Sequence, residues 1–271
     1  MMSCMSGQVP SGEPAAASHY RERNSTADRA LDILGLFCDT RLCVSAQEVA
    51  QALGTARSTA YRYVQSLVGA GFLEEAPAGG FRLGPRVLEL GRLARRSYGL
   101  SDVALPIMLE LCEKLGETVL LTRRAGAHAI CLERVEADHP VRISYERGST
   151  LPVNAGASAL VLIAHLPPAE SKVLLKRERL QQFTPRTLTK VEDLLARLES
   201  IRADGYCVAR GELDENILGV AAPIVDASGA VTAAVSVAAL ETRVPDERLP
   251  EVVAAVVDAA ARVSDRLALA G

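Results

Sequence analysis

Six cysteines (Cys4, Cys38, Cys43, Cys112, Cys131 and Cys207) form no CxxC pair, and four histidines (His19, His128, His139 and His165) form no cluster. None stands at metal-ligand spacing from another or from a carboxylate, which argues against a structural zinc and reads the cysteines as small apolar residues in a reducing cytoplasm. No apolar run reaches the roughly 18 uncharged residues of a membrane span. The longest, near 155–166 and 230–240, are too short and include Ser or His. Residues 1–23 mix Gly, Pro, Ser, Ala and charge without periodicity and lack the apolar core of a secretory signal, so a disordered tail over 1–24 is expected. There is no G-x-S-x-G elbow: Ser158 sits in GASALV and Ser236 in another apolar stretch. No glycine loop offers a phosphate cradle, and no nucleophile has a recognisable base and orienting group. No catalytic residue, cofactor or metal is therefore expected.

Before Lys114 there is no lysine. The formal net charge of −3 has the wrong sign for a protein that binds DNA, but the distribution matters more than the sum. Between Tyr20 and Arg96, eleven arginines stand against eight carboxylates, so that segment is modestly positive and the remainder acidic. Arginine suits bidentate contacts to phosphate and to guanine.

What is present is most informative at 45–73, SAQEVAQALGTARSTAYRYVQSLVGAGFL. Ser45 can cap a first helix and Glu48, three residues on, can complete a capping box. Val49 and Leu53 form its apolar stripe, and Gly54 ends it. Thr55 is expected to cap a second helix with Ala60, Val64 and Leu67 inward at i, i+4, i+7. Its other face carries Ser58, Tyr61, Arg62 and Gln65, with Arg57 and Thr59 in the first turn. Hydroxyls, an amide and guanidiniums without a carboxylate suit the major groove of DNA. A helical hairpin with an ordinary solvated face would look similar; the continuation separates the two. Phe72 and Leu73 open a strand, 76–80 is a Pro/Gly turn and 81–83 returns, with Arg82 placed to reach phosphate or the minor groove. Upstream, 25–37 reads as an amphipathic helix with Ala30, Leu31, Leu34 and Phe37 on one side. Helix, helix-turn-helix and hairpin make a winged helix over 25–84. A helical segment at 85–98 follows.

The second half, 99–271, opens with a helix at about 102–115. Strand segments follow at 117–123, 129–135 and 141–145, then a loop at 147–156. Helices are expected at 158–166, 169–176 and 191–204, strands at 217–225 and 231–239 joined by the turn 226–229, and a last helix at 246–269. Clustered strands with hairpin connections argue for an antiparallel sheet flanked by helices, an α+β fold.

From residue 25 onward the chain resembles the IclR family of bacterial transcriptional regulators. STADRALDILGLF, the helix-turn-helix and FRLGPRVLELG match the family's N-terminal domain. GETVLLTRR, ICLERVEA, LPVNAGASALVLIAHLP and the stretch from IRADGYCVARGELDENILGVAAPIVD to AAVSVAAL match its C-terminal half. The resemblance implies a linker helix at 85–98 and a GAF-like effector-binding domain at 99–271. It implies double-stranded DNA with a palindromic operator as partner, a homodimer or homotetramer, and a small-molecule effector that modulates a repressor. It places the effector between Ile143, Tyr145, Leu151, Ala157 and Ser158 on one side and Glu212, Ile217, Gly219 and Ser236 on the other. These positions form a mostly apolar wall with few polar groups, as small-ligand sites usually do. Where many members carry a Gly-Lys-Ala step, this chain has Ala159-Leu160-Val161. The competing reading is a ligand-binding or hydrolytic domain whose winged helix serves protein contacts.

Overall fold

The computed structural model describes residues 25–38, 40–126, 128–139 and 145–270. The expected tail over 1–24 and the strand residues 141–144 lie outside them. The chain divides into two compact units, Met1–Glu89 and Leu90–Gly271.

In the first unit α1 spans Ser25–Leu34, α2 Ala46–Leu53 and α3 Arg57–Gly69, followed by β1 at Leu73–Glu75 and β2 at Phe81–Leu83. The Ser45 side chain accepts from the Glu48 amide, and the Glu48 carboxylate accepts from the Ser45 amide at 2.7 Å, so the capping box at the head of α2 is complete. Gly54 ends α2 at φ 60°, a conformation that costs glycine little. Thr55 does not cap α3. Its amide closes the exit of α2 on the Ala50 carbonyl at 3.0 Å, and Ala56 is the N-cap, without a side-chain bond. Thr55 therefore belongs to the end of one helix, and its hydroxyl is buried without a partner. The first helix stops at Leu34, short of Phe37, and its inward phase also differs from expectation. Ile33 is fully buried while Leu31 is 65% exposed. The stripe that meets α2 and α3 runs Ala30, Ile33, Leu34 and Phe37, at i, i+3, i+4, i+7. The hairpin β1–β2 is antiparallel, and Val44 adds a third short rung by exchanging backbone bonds of 2.9 and 2.8 Å with Phe81.

Helix α4 runs Pro85–Tyr98. The second unit then orders α5 (Leu100–Leu115), β3 (Thr118–Ala125), β4 (His128–Val135), β5 (Thr150–Leu151), α6 (Ala157–Ala164), α7 (Pro168–Arg177) and α8 (Val191–Asp204). After these come β6 (Cys207–Arg210), β7 (Ile217–Val225), β8 (Val231–Leu240) and α9 (Leu249–Ala270). The strands form one six-stranded antiparallel sheet, ordered β5-β4-β3-β8-β7-β6. Two of them, β5 and β6, fall where no strand was expected, and α9 begins three residues later than expected. Alternation along β8 divides its side chains. Ala233, Val235, Val237 and Ala239 join α5 and α9 in one core, whereas Ala234 faces α6 and α8 in another. The sheet is thus covered on both faces. A bidentate ion pair between Glu117, which is 1% exposed, and Arg243 spans the end of the first core, with its shortest N–O distance 2.6 Å. Among the described residues no helix is long and apolar enough to cross a membrane.

Candidate DNA-contacting face and effector cavity

Helix α3 buries Ala60, Val64 and Leu67 and turns the rest outward. Arg57, Ser58, Tyr61 and Arg62 are exposed; Thr59 and Gln65 are half-buried. Tyr61 keeps one edge on Phe81 of β2, with ring centroids 6.4 Å apart at 65°. Thr59, Tyr61, Arg62 and Gln65 border one concavity, together with Thr26, Tyr63 and Ser66, which periodicity alone did not single out. The guanidiniums of Arg57 and Arg62 form no ion pair or hydrogen bond among the described residues. Arg82 differs. It lies opposite Glu74 in the hairpin register and is paired with it at 2.7 Å, both side chains about half exposed. A phosphate contact by Arg82 must therefore compete with a carboxylate. Arg29 is also occupied, donating to the Leu53 carbonyl at the end of α2.

In the second unit Tyr145, Leu151, Ala157, Ser158, Glu212, Ile217, Gly219 and Ser236 all line one cavity between the sheet and the head of α6. Ile143 lies outside the described residues. The sheet register explains the convergence. Ser236 stands opposite both Leu120 and Ala221, and Gly219 opposite both Ala238 and Ala209, so neighbouring strands present the same face. Leu120, Ala209 and Ala238 therefore also line the cavity, along with Gly156, Leu213, Asp214 and Val237. Alternation from Ser236 could have pointed to Ala238. Asp214, sixty-nine residues from Tyr145 in sequence, left no such signal.

Helix α6 approaches the sheet closely. A Cβ on Gly219 would stand 3.2 Å from the Cβ of Ala157, tighter than ordinary contact, so glycine there sets the spacing of the layers. All eight residues of α6 are buried, Leu160 among them at 1% exposed. Ser158 donates to Ser236 at 2.7 Å across the two layers, so each buried hydroxyl has a partner. At the solvent side the Tyr145 hydroxyl donates to Asp214 at 2.6 Å; burial and that carboxylate raise its pKa. The Glu212 carboxylate lies near the Gly156 amide at the head of α6. Burial raises its pKa above the ordinary value, partly offset by Arg197 and by that amide. The void measures about 40 Å³ as it stands, space for a few waters rather than for a drug-sized ligand.

Two family models cover most of the chain: the IclR helix-turn-helix domain at residues 26–77 and the C-terminal domain of the bacterial transcriptional regulator IclR at 94–265. The chain belongs to the IclR family. Among its relatives, the HTH-type transcriptional regulator KipR of Bacillus subtilis is 31% identical over 91% of this chain and 98% of its own length. The HTH-type transcriptional repressor AllR of Escherichia coli is 29% identical over 95% of this chain and 96% of its own. A crystal structure of an IclR homolog from Microbacterium hydrocarbonoxydans, complexed with 4-hydroxybenzoate, has TM-score 0.73 and 28% identity. It covers 89% of this chain and 98% of that one. This IclR-family chain is a ligand-responsive, DNA-binding transcriptional regulator, and its winged helix and helix-flanked antiparallel sheet are the family's two parts. The matched families name regulators and no enzyme.

Proposed function

We propose that this regulator acts in the cytoplasm as a repressor, with α3 in the major groove of a palindromic operator and an effector held in the cavity under α6. Arg57 and Arg62 face the DNA, Ser58, Thr59, Tyr61 and Gln65 share the groove surface, and Arg82 touches backbone from the wing. The effector lies among Tyr145, Leu151, Ala157, Ser158, Glu212, Ile217, Gly219 and Ser236. The observation that carries the reading is the outer face of α3: exposed, free of carboxylates, with two unpaired guanidiniums on a helix braced by Phe81. One such module covers too little groove for a specific site, so the working unit is a dimer or a dimer of dimers. The chain works as a regulator and not as a catalyst. Ser158 and Ser236, the buried hydroxyls of the cavity under α6, bond each other, and among the described residues neither meets a base.

A gel-shift titration on operator DNA with the full chain and Ser236→Phe tests both ends of the proposal. The variant is expected to bind DNA like the parent and to lose its response to effector. A variant that melts normally and still responds fully would move the effector elsewhere. Loss of DNA binding alongside a normal melting curve would sink the division of labour between the two units.

A further inference from the structure

We infer that the cavity takes an uncharged ligand that donates a hydrogen bond, an alcohol or phenol on an apolar body, and not a carboxylate. The inference rests on the cavity being the effector site. Among the described residues its lining holds no lysine, arginine or histidine, while Glu212 and Asp214 both reach it. The position where a ligand carboxylate would profit most, the head of α6, has the protein's own carboxylate beside it: Gly156, the residue before α6, and Glu212 line the cavity together. The neighbouring cation does not change this. Arg197 does not line the cavity but borders a separate polar cleft that Glu212 also lines; it donates to the Val208 carbonyl, and its charge acts on Glu212 itself, the carboxylate it helps to hold ionised.

The remaining polar groups suit a hydroxyl. Ser158 spends its proton on Ser236, which leaves the Ser236 proton and lone pairs on both oxygens for a guest. A ligand hydroxyl can accept from Ser236 and donate to Glu212, satisfying both. A carboxylate can only accept, and would set an anion against the half-buried Glu212 with no lysine, arginine or histidine among the described lining residues to balance it. The apolar remainder, Leu120, Leu151 and Ile217, fits a hydrocarbon body. The void of about 40 Å³ admits little more than the polar head, so the body must displace the side chains at the Tyr145–Asp214 mouth.

Two probes of matched shape decide the point: 4-methylphenol and 4-hydroxybenzoate, which differ in a methyl group against a carboxylate. Isothermal titration of the full chain is expected to give a dissociation constant at least about tenfold lower for 4-methylphenol. In Glu212→Gln that ratio should shrink or invert, because an amide can donate to the carboxylate. Equal or tighter binding of 4-hydroxybenzoate by the parent, no binding of either probe, or an unchanged ratio in Glu212→Gln would overturn the inference. Ser236→Phe and the milder Ala238→Leu test the underlying site separately, since each fills the cavity from the sheet. If either folds and still binds both probes like the parent, the cavity is not the site and both readings fall. If a filled cavity abolishes binding while the parent prefers 4-hydroxybenzoate, only the ligand class is wrong.

Discussion

Arg62 and Arg82 lie on neighbouring elements and differ in what they must give up to meet DNA. The Arg62 guanidinium projects from α3 without a partner among the described residues, whereas Arg82 is tied across the hairpin to Glu74. Arg62→Ala is therefore expected to cost on the order of 1–3 kcal/mol of operator affinity, with an unchanged melting temperature. Arg82→Ala should cost less, since breaking the exposed pair offsets part of the gain from phosphate. Gel-shift titration of the two variants side by side measures the difference, and a larger loss for Arg82 would contradict it. Glu212 offers a second residue-scale outcome, in pH. Burial raises its folded pKa above the ordinary value of 4.5, so ionising it works against the fold. The penalty is absent while the group is protonated and grows as pH rises through and above the ordinary range. Glu212→Gln, which cannot ionise, should gain in melting temperature over the parent between about pH 4 and about pH 7. A difference that shrinks with rising pH would contradict the assignment.

At the scale of elements, contacts within one turn were the legible ones. The capping box at Ser45 and Glu48 closes over four residues, and α2 starts where it indicates. Ser45→Ala should destabilise the first unit by roughly 1 kcal/mol, read by chemical denaturation, and Ser45→Asp should restore most of the loss. The inward face of α3 was legible for the same reason, as Ala60, Val64 and Leu67 repeat at helical spacing. The phase of α1 was not. Leu31 and Ile33 are equally apolar, and only packing against α2 and α3 selects Ile33. Thr55 misled because a hydroxyl near a helix start resembles a cap, while the left-handed turn at Gly54 commits the next amide to the helix before it. Strands β5 and β6 were illegible because two and four residues carry no period of their own; their neighbours in the sheet define them. The cavity was legible through family resemblance, which brought Ser158 and Ser236 to one site. That they would satisfy each other, 78 residues apart, needed the sheet.

For the whole molecule, a regulator must link the cavity to DNA, and α4 is the covalent connection between residues 84 and 99. An effector that discriminates between two arrangements of the regulator is expected to change operator affinity by about 5- to 150-fold, a coupling of about 1–3 kcal/mol. By reciprocity, operator DNA must change effector affinity by the same factor, and titrating effector with and without DNA checks this. Light scattering at micromolar concentration is expected to report a dimer or tetramer; a monomeric mass with and without DNA would contradict the proposed assembly.

The complete burial of α6 also bears on how the protein is made. Residues Ala157–Ala164 have no solvent face, and the sheet surface that covers them comes partly from β7 and β8, which are not complete until Leu240. During synthesis at about 5–20 residues per second, these eight residues, all but Ser158 apolar, wait roughly 4–15 s for their cover while the chain grows. A ribosome that stalls before Val231 holds out a sticky segment of the kind chaperones recognise. Nonsense codons between 165 and 230 should accordingly yield insoluble or degraded fragments rather than a free DNA-binding unit, whatever the merits of the winged helix by itself.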